Sequence, residues 1–219
     1  MSEPNQAEFE AELALRASAL AREGVEALEP MYDLVAGRLL GYARLLTKTQ
    51  NEAEDVLQAS FLKLARFPRK LARAEYPWPY LLRLVRNEAI SQLYRRKPLE
   101  LSSMPIQASP RGGSLDEFDA WERNEVVRLA LQELPAFQAE VISLKIWEGL
   151  TFREIAVVTD ATLSAVTSRY RYGLVKLAAL LRAFADPERS VVMRKCNSAS
   201  RRTWNSCCSA GGEGEAEHG

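Results

Sequence analysis

Between Thr151 and Tyr172 the residue types and spacing could do recognition chemistry, namely hydrogen bonding and charge pairing with a polyanion. Ser164, Thr167, Ser168 and Arg171 fall at i, i+3, i+4 and i+7, the spacing that puts side chains on one face of a helix. Ala165, Arg169 and Tyr172 flank that face, while Val166, Tyr170, Leu174, Leu177 and Leu181 recur as the opposite, apolar stripe. Upstream, Thr151 and Glu154 have the S/T-x-x-E form of a capping box, in which each side chain satisfies an orphan amide. Ile155, Ala156 and Val158 follow as an inner face, and Thr159 to Thr162 as a tight turn. Two short helices are therefore expected, the second opening on small hydroxyl residues with arginines one turn later. Such a helix suits the DNA major groove, approaching base edges while Arg holds phosphate. An ordinary helix pair with a solvated outer face has the same pattern, so this segment alone does not decide.

A second cluster lies earlier. Arg83, Arg86 and Asn87 stand at i, i+3 and i+4 of an expected helix from Tyr80 to about Arg96. Arg offers a bidentate fork to phosphate, and Asn can pair with an exposed base edge. The approach to this helix, Phe67-Pro68 to Tyr76-Pro77-Trp78-Pro79-Tyr80, is stiffened by prolines and rich in aromatics. Unpaired bases stack on such rings at about 1–3 kcal/mol each. Trp78 reads equally as a stacking platform or a core anchor, and Tyr80 better as an anchor. Arg95, Arg96 and Lys97 either hold backbone phosphates or complement a helix C-terminus. A third group, Asp55 and Gln58, shares a face near the start of a helix that Asn51 can cap. As a carboxylate near the helix start, Asp55 is worth only about 0.3–1 kcal/mol to its own helix.

Nothing comparable supports catalysis. There is no Gly-rich phosphate loop and no metal-ligand spacing, and the single histidine, His218, lies in the tail, one residue from its end. No cofactor, metal or catalytic residue is expected. The three cysteines, Cys196, Cys207 and Cys208, all fall in that tail, which fits a reducing cytoplasm better than a disulfide-built fold. No apolar run approaches a membrane span, and the polar, acidic start has no basic region leading into an apolar one, so neither membrane insertion nor a secretory signal is expected.

The elements that must position these groups are helical. Ala7–Leu28, Met31–Leu46, Asn51 to Pro68 and Tyr80–Arg96 read as helices, and a second helical block starts near Leu115. Pro135 suits the first residue of a helix whose C′ residue is Gly149. Net charge is zero, but residues 36–97 carry thirteen bases against five acids and residues 151–182 five against two, with an acidic stretch between them. Two separate contacts with a polyanion follow. The expected fold is all-α: two small helical domains on a flexible linker, the second containing a helix-turn-helix. The boundaries are 1–27 for an acidic helical extension, 28–97 for the first domain, 98–124 for the Pro-, Gly- and Ser-rich linker, 125–183 for the second domain and 184–219 for a disordered tail.

These blocks together resemble bacterial sigma factors of the extracytoplasmic-function group. Ala53-Glu-Asp-Val-Leu-Gln-Ala-Ser-Phe-Leu is similar to that group's A-E-D-x-x-Q-x-x-F-L. Tyr80 to Arg96 resembles its W-L-x-R-I-A-R-N-x-x-x-D-x-x-R-R, and Leu134 to Arg169 its L-P-x-x-x-R-x-V…E-G-x-S-x-x-E-I-A…V-x-S-R. The resemblance implies that the chain binds core RNA polymerase, through its β′ clamp and β subunits, and directs it to promoter DNA. It assigns Asp55, Gln58, Leu57 and Leu62 to the polymerase. Trp78, Arg83, Arg86, Asn87, Arg95 and Arg96 would then meet the −10 element, and Ser164, Ala165, Thr167, Ser168, Arg169 and Arg171 the −35 element. An anti-sigma partner is left open. The chain departs from the pattern at Ala59, Ser91, Tyr94, Ala139, Asp160 and Thr167. Asp160 replaces a turn Gly mildly, because Asp tolerates left-handed backbone. Thr167 in place of Lys removes one contact from the recognition helix. Two rival readings stand beside this one: a stand-alone helix-turn-helix regulator, and a helical adaptor that sequesters another regulator.

Overall fold

The computed structural model describes residues 6–47, 49–96 and 125–185. The expected linker (98–124), the helix start near Leu115, Lys97 and the tail with its cysteines and His218 lie outside them. Every regular element among the described residues is helical. Contacts divide the chain into a first unit, Met1–Leu177, and a second, Ala178–Gly219, of which the described part is the end of one helix.

Helix α1 (Gln6–Glu23) buries Phe9, Leu13, Ala17 and Leu20, a stripe one residue wide. It stops five residues before the expected Leu28, because Gly24 takes the left-handed conformation (φ 72°) and a 3₁₀ turn, Gly24–Ala27, redirects the chain. Helix α2 (Leu28–Leu46) follows at once; Pro30 sits in its first turn, where a missing amide costs nothing. Met31, Val35, Leu39, Tyr42 and Leu46 carry its buried face. Helix α3 (Gln50–Arg66) is capped by Thr49, not by Asn51. Thr49 Oγ1 accepts from the Glu52 amide and the Glu52 carboxylate accepts from the Thr49 amide, a reciprocal box that outcompetes a lone Asn two residues further on. A short helix, α4 (Pro68–Ala72), interrupts the expected aromatic loop and buries Leu71. Helix α5 (Pro77–Arg96) starts three residues before Tyr80 and buries Trp78, Leu81, Leu82, Val85 and Ala89. It is the central helix of the unit, packed against α1, α2, α3, α4 and the later α8.

The second block comprises α6 (Glu125–Gln132), α7 (Ala136–Ile146), α8 (Phe152–Thr159) and α9 (Leu163–Ala185). Pro135 is the cap residue before α7, and that helix ends at Ile146, short of Gly149, whose φ of 68° turns the chain toward α8. The expected two helical blocks are present, yet they are not apart: α8 packs on α5 and α7 on α2, within one unit and largely one apolar cluster.

One close approach within the second block is decided by a missing side chain. A Cβ on Gly173 of α9 would lie 2.8 Å from Ile142 Cδ1 and 3.1 Å from Gln138 Cβ, both on α7. Ala in place of Gly normally favours a helix interior by about 0.5–1 kcal/mol. Here the overlap with fully buried Ile142 dominates, so Gly173→Ala is expected to destabilise the chain by about 1–2 kcal/mol, the range for overpacking. Urea unfolding of the two proteins checks this; equal or higher stability in the variant would show that α7 yields.

A candidate nucleic-acid interface and its internal counter-ions

The helix-turn-helix takes the expected form. Thr151 and Glu154 make the capping box of α8, with Thr151 Oγ1 3.3 Å from the Glu154 amide and the Thr151 amide 2.7 Å from the Glu154 carboxylate. Asp160 occupies the left-handed region at φ 52°, ψ 46°, which ends α8 and permits the turn. Thr162 then caps α9, its Oγ1 accepting from the Ala165 amide at 3.2 Å. Ile155, Val158 and Val166 are fully buried between the helices, and Phe152 meets Tyr170 edge-on at 5.2 Å. On the outer face Ser164, Ser168 and Arg171 are exposed. Ala165, Thr167 and Arg169 are half-buried. The Thr167 hydroxyl is turned back on the helix carbonyls of Leu163 and Ser164, 3.0 Å from each, so it is less available to a base than its position suggests. Arg169 lies over the Phe137 ring at 4.9 Å.

In the first block Asp55, Gln58 and Leu62 share an exposed face of α3, and Leu62 is 73% exposed. Leu57 does not join them: it points into the core beside Val56 and Phe61. One residue's rotation on the helix, 100°, separates its direction from that of Gln58.

The −10 candidates divide more sharply. Asn87 and Arg95 are exposed on α5, and the side chain of Arg96 lies outside the described residues. Trp78 is 1% exposed, with Phe9 edge-on at 5.0 Å and the Arg38 guanidinium 4.5 Å from its ring. In this arrangement it is the core anchor and not a stacking platform, because the indole's large apolar area is worth more in the core than in water. Arg86 is 12% exposed and donates from Nε to Glu140 Oε1 at 2.7 Å. Arg83 is half-exposed and reaches Asp160 of the turn at 4.0 Å.

Residues that sequence reasoning missed explain this. Glu140 of α7 is 2% exposed, and its Oε1 accepts from both Arg86 and the Tyr42 hydroxyl, the latter at 2.8 Å. Burial and then the neighbouring carboxylate push the Tyr42 phenol well above its ordinary value. Burial alone would lower the Arg86 guanidinium, but Glu140 outweighs it and holds the charge. A similar pair lies nearby: Arg38 of α2 donates from Nη2 to Glu148 Oε2 at 2.9 Å, and burial raises the Glu148 carboxyl while Arg38 opposes the rise. Glu140 carried no special spacing in the sequence; its only signal was an acid inside the apolar run Ala139–Leu144. Among the described residues no cluster of three or more metal-ligating side chains occurs, and no helix is long and apolar enough to cross a membrane.

Comparison with known proteins agrees with the geometry. Residues 31–98 match the family description "Sigma-70 region 2" and residues 124–177 match "Sigma-70, region 4". The chain is 28% identical over 162 residues to the RNA polymerase sigma factor CarQ of Myxococcus xanthus, covering 73% of this chain and 92% of that protein. It is 26% identical over 129 residues to the ECF RNA polymerase sigma-E factor of Salmonella typhimurium, covering 54% of this chain and 68% of that one. Two solved structures share the fold. The sigma factor RpoE in complex with the anti-sigma factor NepR, from Bartonella quintana, has a TM-score of 0.55 and 24% identity, covering 72% of this chain and 98% of its own. CnrH in complex with the cytosolic domain of CnrY has a TM-score of 0.54 and 22% identity, covering 80% and 98%.

The shared carboxylate makes a stability prediction. Tyr42→Phe removes one of the two donors to Glu140 and leaves the ring in place. It is expected to cost about 1.5–3 kcal/mol, the value of a hydrogen bond to a charged group. Because the folded phenol titrates above its ordinary value of 10.0, the gap between wild type and variant should hold steady below that pH and narrow above it. Unfolding midpoints measured across pH 7 to about 11 check both parts; a gap that is absent at pH 7 would remove the bond from the account.

Proposed function

Because the chain belongs to the sigma-70 family, within its extracytoplasmic-function group, we propose that it binds core RNA polymerase and directs initiation at promoters read at a −10 and a −35 element. Sigma factors are promoter-specificity proteins and non-enzymatic regulators of initiation, so the nucleotidyl transfer belongs to the polymerase. The observation that carries the finer reading is the pair of matched regions, in order, with a helix in each that presents some exposed groups suited to DNA.

The division of labour follows from exposure. The Asp55, Gln58 and Leu62 face of α3 offers a carboxylate, an amide and an apolar side chain to the polymerase. Arg83, Arg86, Asn87, Arg95 and Arg96 of α5 meet the −10 element, where the arginines hold phosphate and Asn87 a base edge. Ser164, Ser168 and Arg171 of α9 carry most of the −35 contact, with Ala165, Thr167 and Arg169 at its margin. Polymerase and chromosome place this action in the cytoplasm. An anti-sigma protein is a further proposed partner, on the ground that the solved neighbour RpoE is held by one.

The deciding experiment is run-off transcription with purified core polymerase on a genomic promoter library. Discrete transcripts that require the chain are expected, and their start sites reveal the elements read; no transcript from any template rejects the reading. Asp55→Ala is expected to weaken core binding about tenfold, or ~1.4 kcal/mol, without changing duplex binding; unchanged core affinity removes Asp55 from the contact. Arg171→Ala should weaken −35 duplex binding and lower its salt slope by about 1. An identical slope would leave Arg171 a solvated side chain.

A further inference from the structure

Arg38 of α2 stands where four parts of the chain converge. Its guanidinium lies 4.1 Å from the Phe9 ring of α1 and 4.5 Å from the Trp78 ring of α5. Its Nη2 reaches Glu148, beyond α7, at 2.9 Å and Gln6 Oε1 of α1 at 3.5 Å. Gln6 in turn lies against Gly149, its Cδ 3.5 Å from where a Cβ there would sit. Helix α1 precedes residue 31, where the region 2 match begins, so this contact is additional to the matched regions. A cation between two rings, aimed by them at a carboxylate of the other region whose side chain is only 11% exposed, is a clasp: the rings fix its direction.

The clasp closes an arrangement that is incompatible with the proposed DNA contacts. It lies beside the Arg86–Glu140 pair, which holds a −10 candidate against region 4. Two elements centred about 25 base pairs apart are separated by roughly 85 Å of duplex at 3.4 Å per step. Helices α5 and α8 are in contact here, so both elements cannot be engaged at once. Residues 97–124, if fully extended, could span up to about 95 Å, which makes separation possible without unfolding either region.

We propose that α1, through Phe9 and Gln6 on Arg38, is an intramolecular clasp that holds region 4 on region 2 and keeps the α5 arginines from promoter DNA until it is released. This rests on the sigma reading for its consequence, and on geometry alone for the closure. A protein closed in all but about one molecule in a hundred binds about a hundredfold more weakly than its open form.

The test uses the full chain with Cys196, Cys207 and Cys208 replaced by Ser and a dye pair at Ala72→Cys and Lys176→Cys, both exposed positions. Two variants open the clasp differently: Phe9→Leu keeps apolar volume but removes the ring from Arg38, and Glu148→Gln keeps volume but removes the charge. Energy transfer should fall in each, and promoter binding in the presence of core polymerase should tighten about tenfold or more. Transfer and affinity equal to wild type in folded Phe9→Leu reject α1 as the clasp; if that variant does not fold, the same result in Glu148→Gln rejects it. Should no form bind polymerase or promoter, the sigma reading fails, while the transfer change still decides the closure.

Discussion

A carboxylate taken out of water must be answered by charge and hydrogen bonds, and Glu140 is the place where this protein meets that requirement. It lies on α7, yet both donors to it, Tyr42 and Arg86, come from the other region. Leaving such a charge without its partner costs about 3–5 kcal/mol, so the two regions are tied by a constraint that neither satisfies alone. Arg38 and Glu148 repeat the arrangement a short distance away. The apolar contact of α8 with α5 supplies area, but hydrophobic burial has no direction. The buried pairs supply the register.

The same chemistry gives the closed form its relation to function. Arginine suits phosphate for the reason it suits carboxylate: a planar fork of donors that keeps its charge when partly buried. Under the proposed −10 contact Arg86 has two anions to choose between, Glu140 within the chain and a promoter phosphate outside it, and its Nε is already committed to Glu140 at 2.7 Å. Arg83 faces the same choice in weaker form, since its 4.0 Å contact with Asp160 is exposed and worth little. On that proposed reading, DNA and the protein's own acids are alternative partners for the same side chains. The face of α9 that carries Ser164, Ser168 and Arg171 is turned outward, so the two regions differ in how far their candidate contacts are exposed.

Local rules made much of this legible. The Thr151 capping box, the left-handed Asp160 and the buried Ile155, Val158 and Val166 follow from short-range geometry that a few neighbouring residues settle. Where local signals competed, the shorter-range and more reciprocal one prevailed: Thr49 with Glu52 took the cap from Asn51, and Gly24 ended α1 although strong helix formers flank it. Trp78, which reads either way, and Leu57, which the resemblance places at the polymerase but the structure buries, depend on something else. An aromatic after proline and a leucine in an apolar run are compatible with either side of a surface, and the choice depends on what arrives from elsewhere. Phe9 and Arg38 arrived at Trp78, and the core took Leu57.

The sequence by itself determined the helices, their caps, the turn of the helix-turn-helix and the two cationic blocks, because each depends on contacts within a few residues. Which of those cations face outward was decided only by tertiary structure. Glu140 and Arg86 are 54 residues apart, and Arg38 and Glu148 110 apart. No periodicity reports a pairing at that separation; it exists only once packing brings the groups together and each charge takes over part of the other's lost hydration.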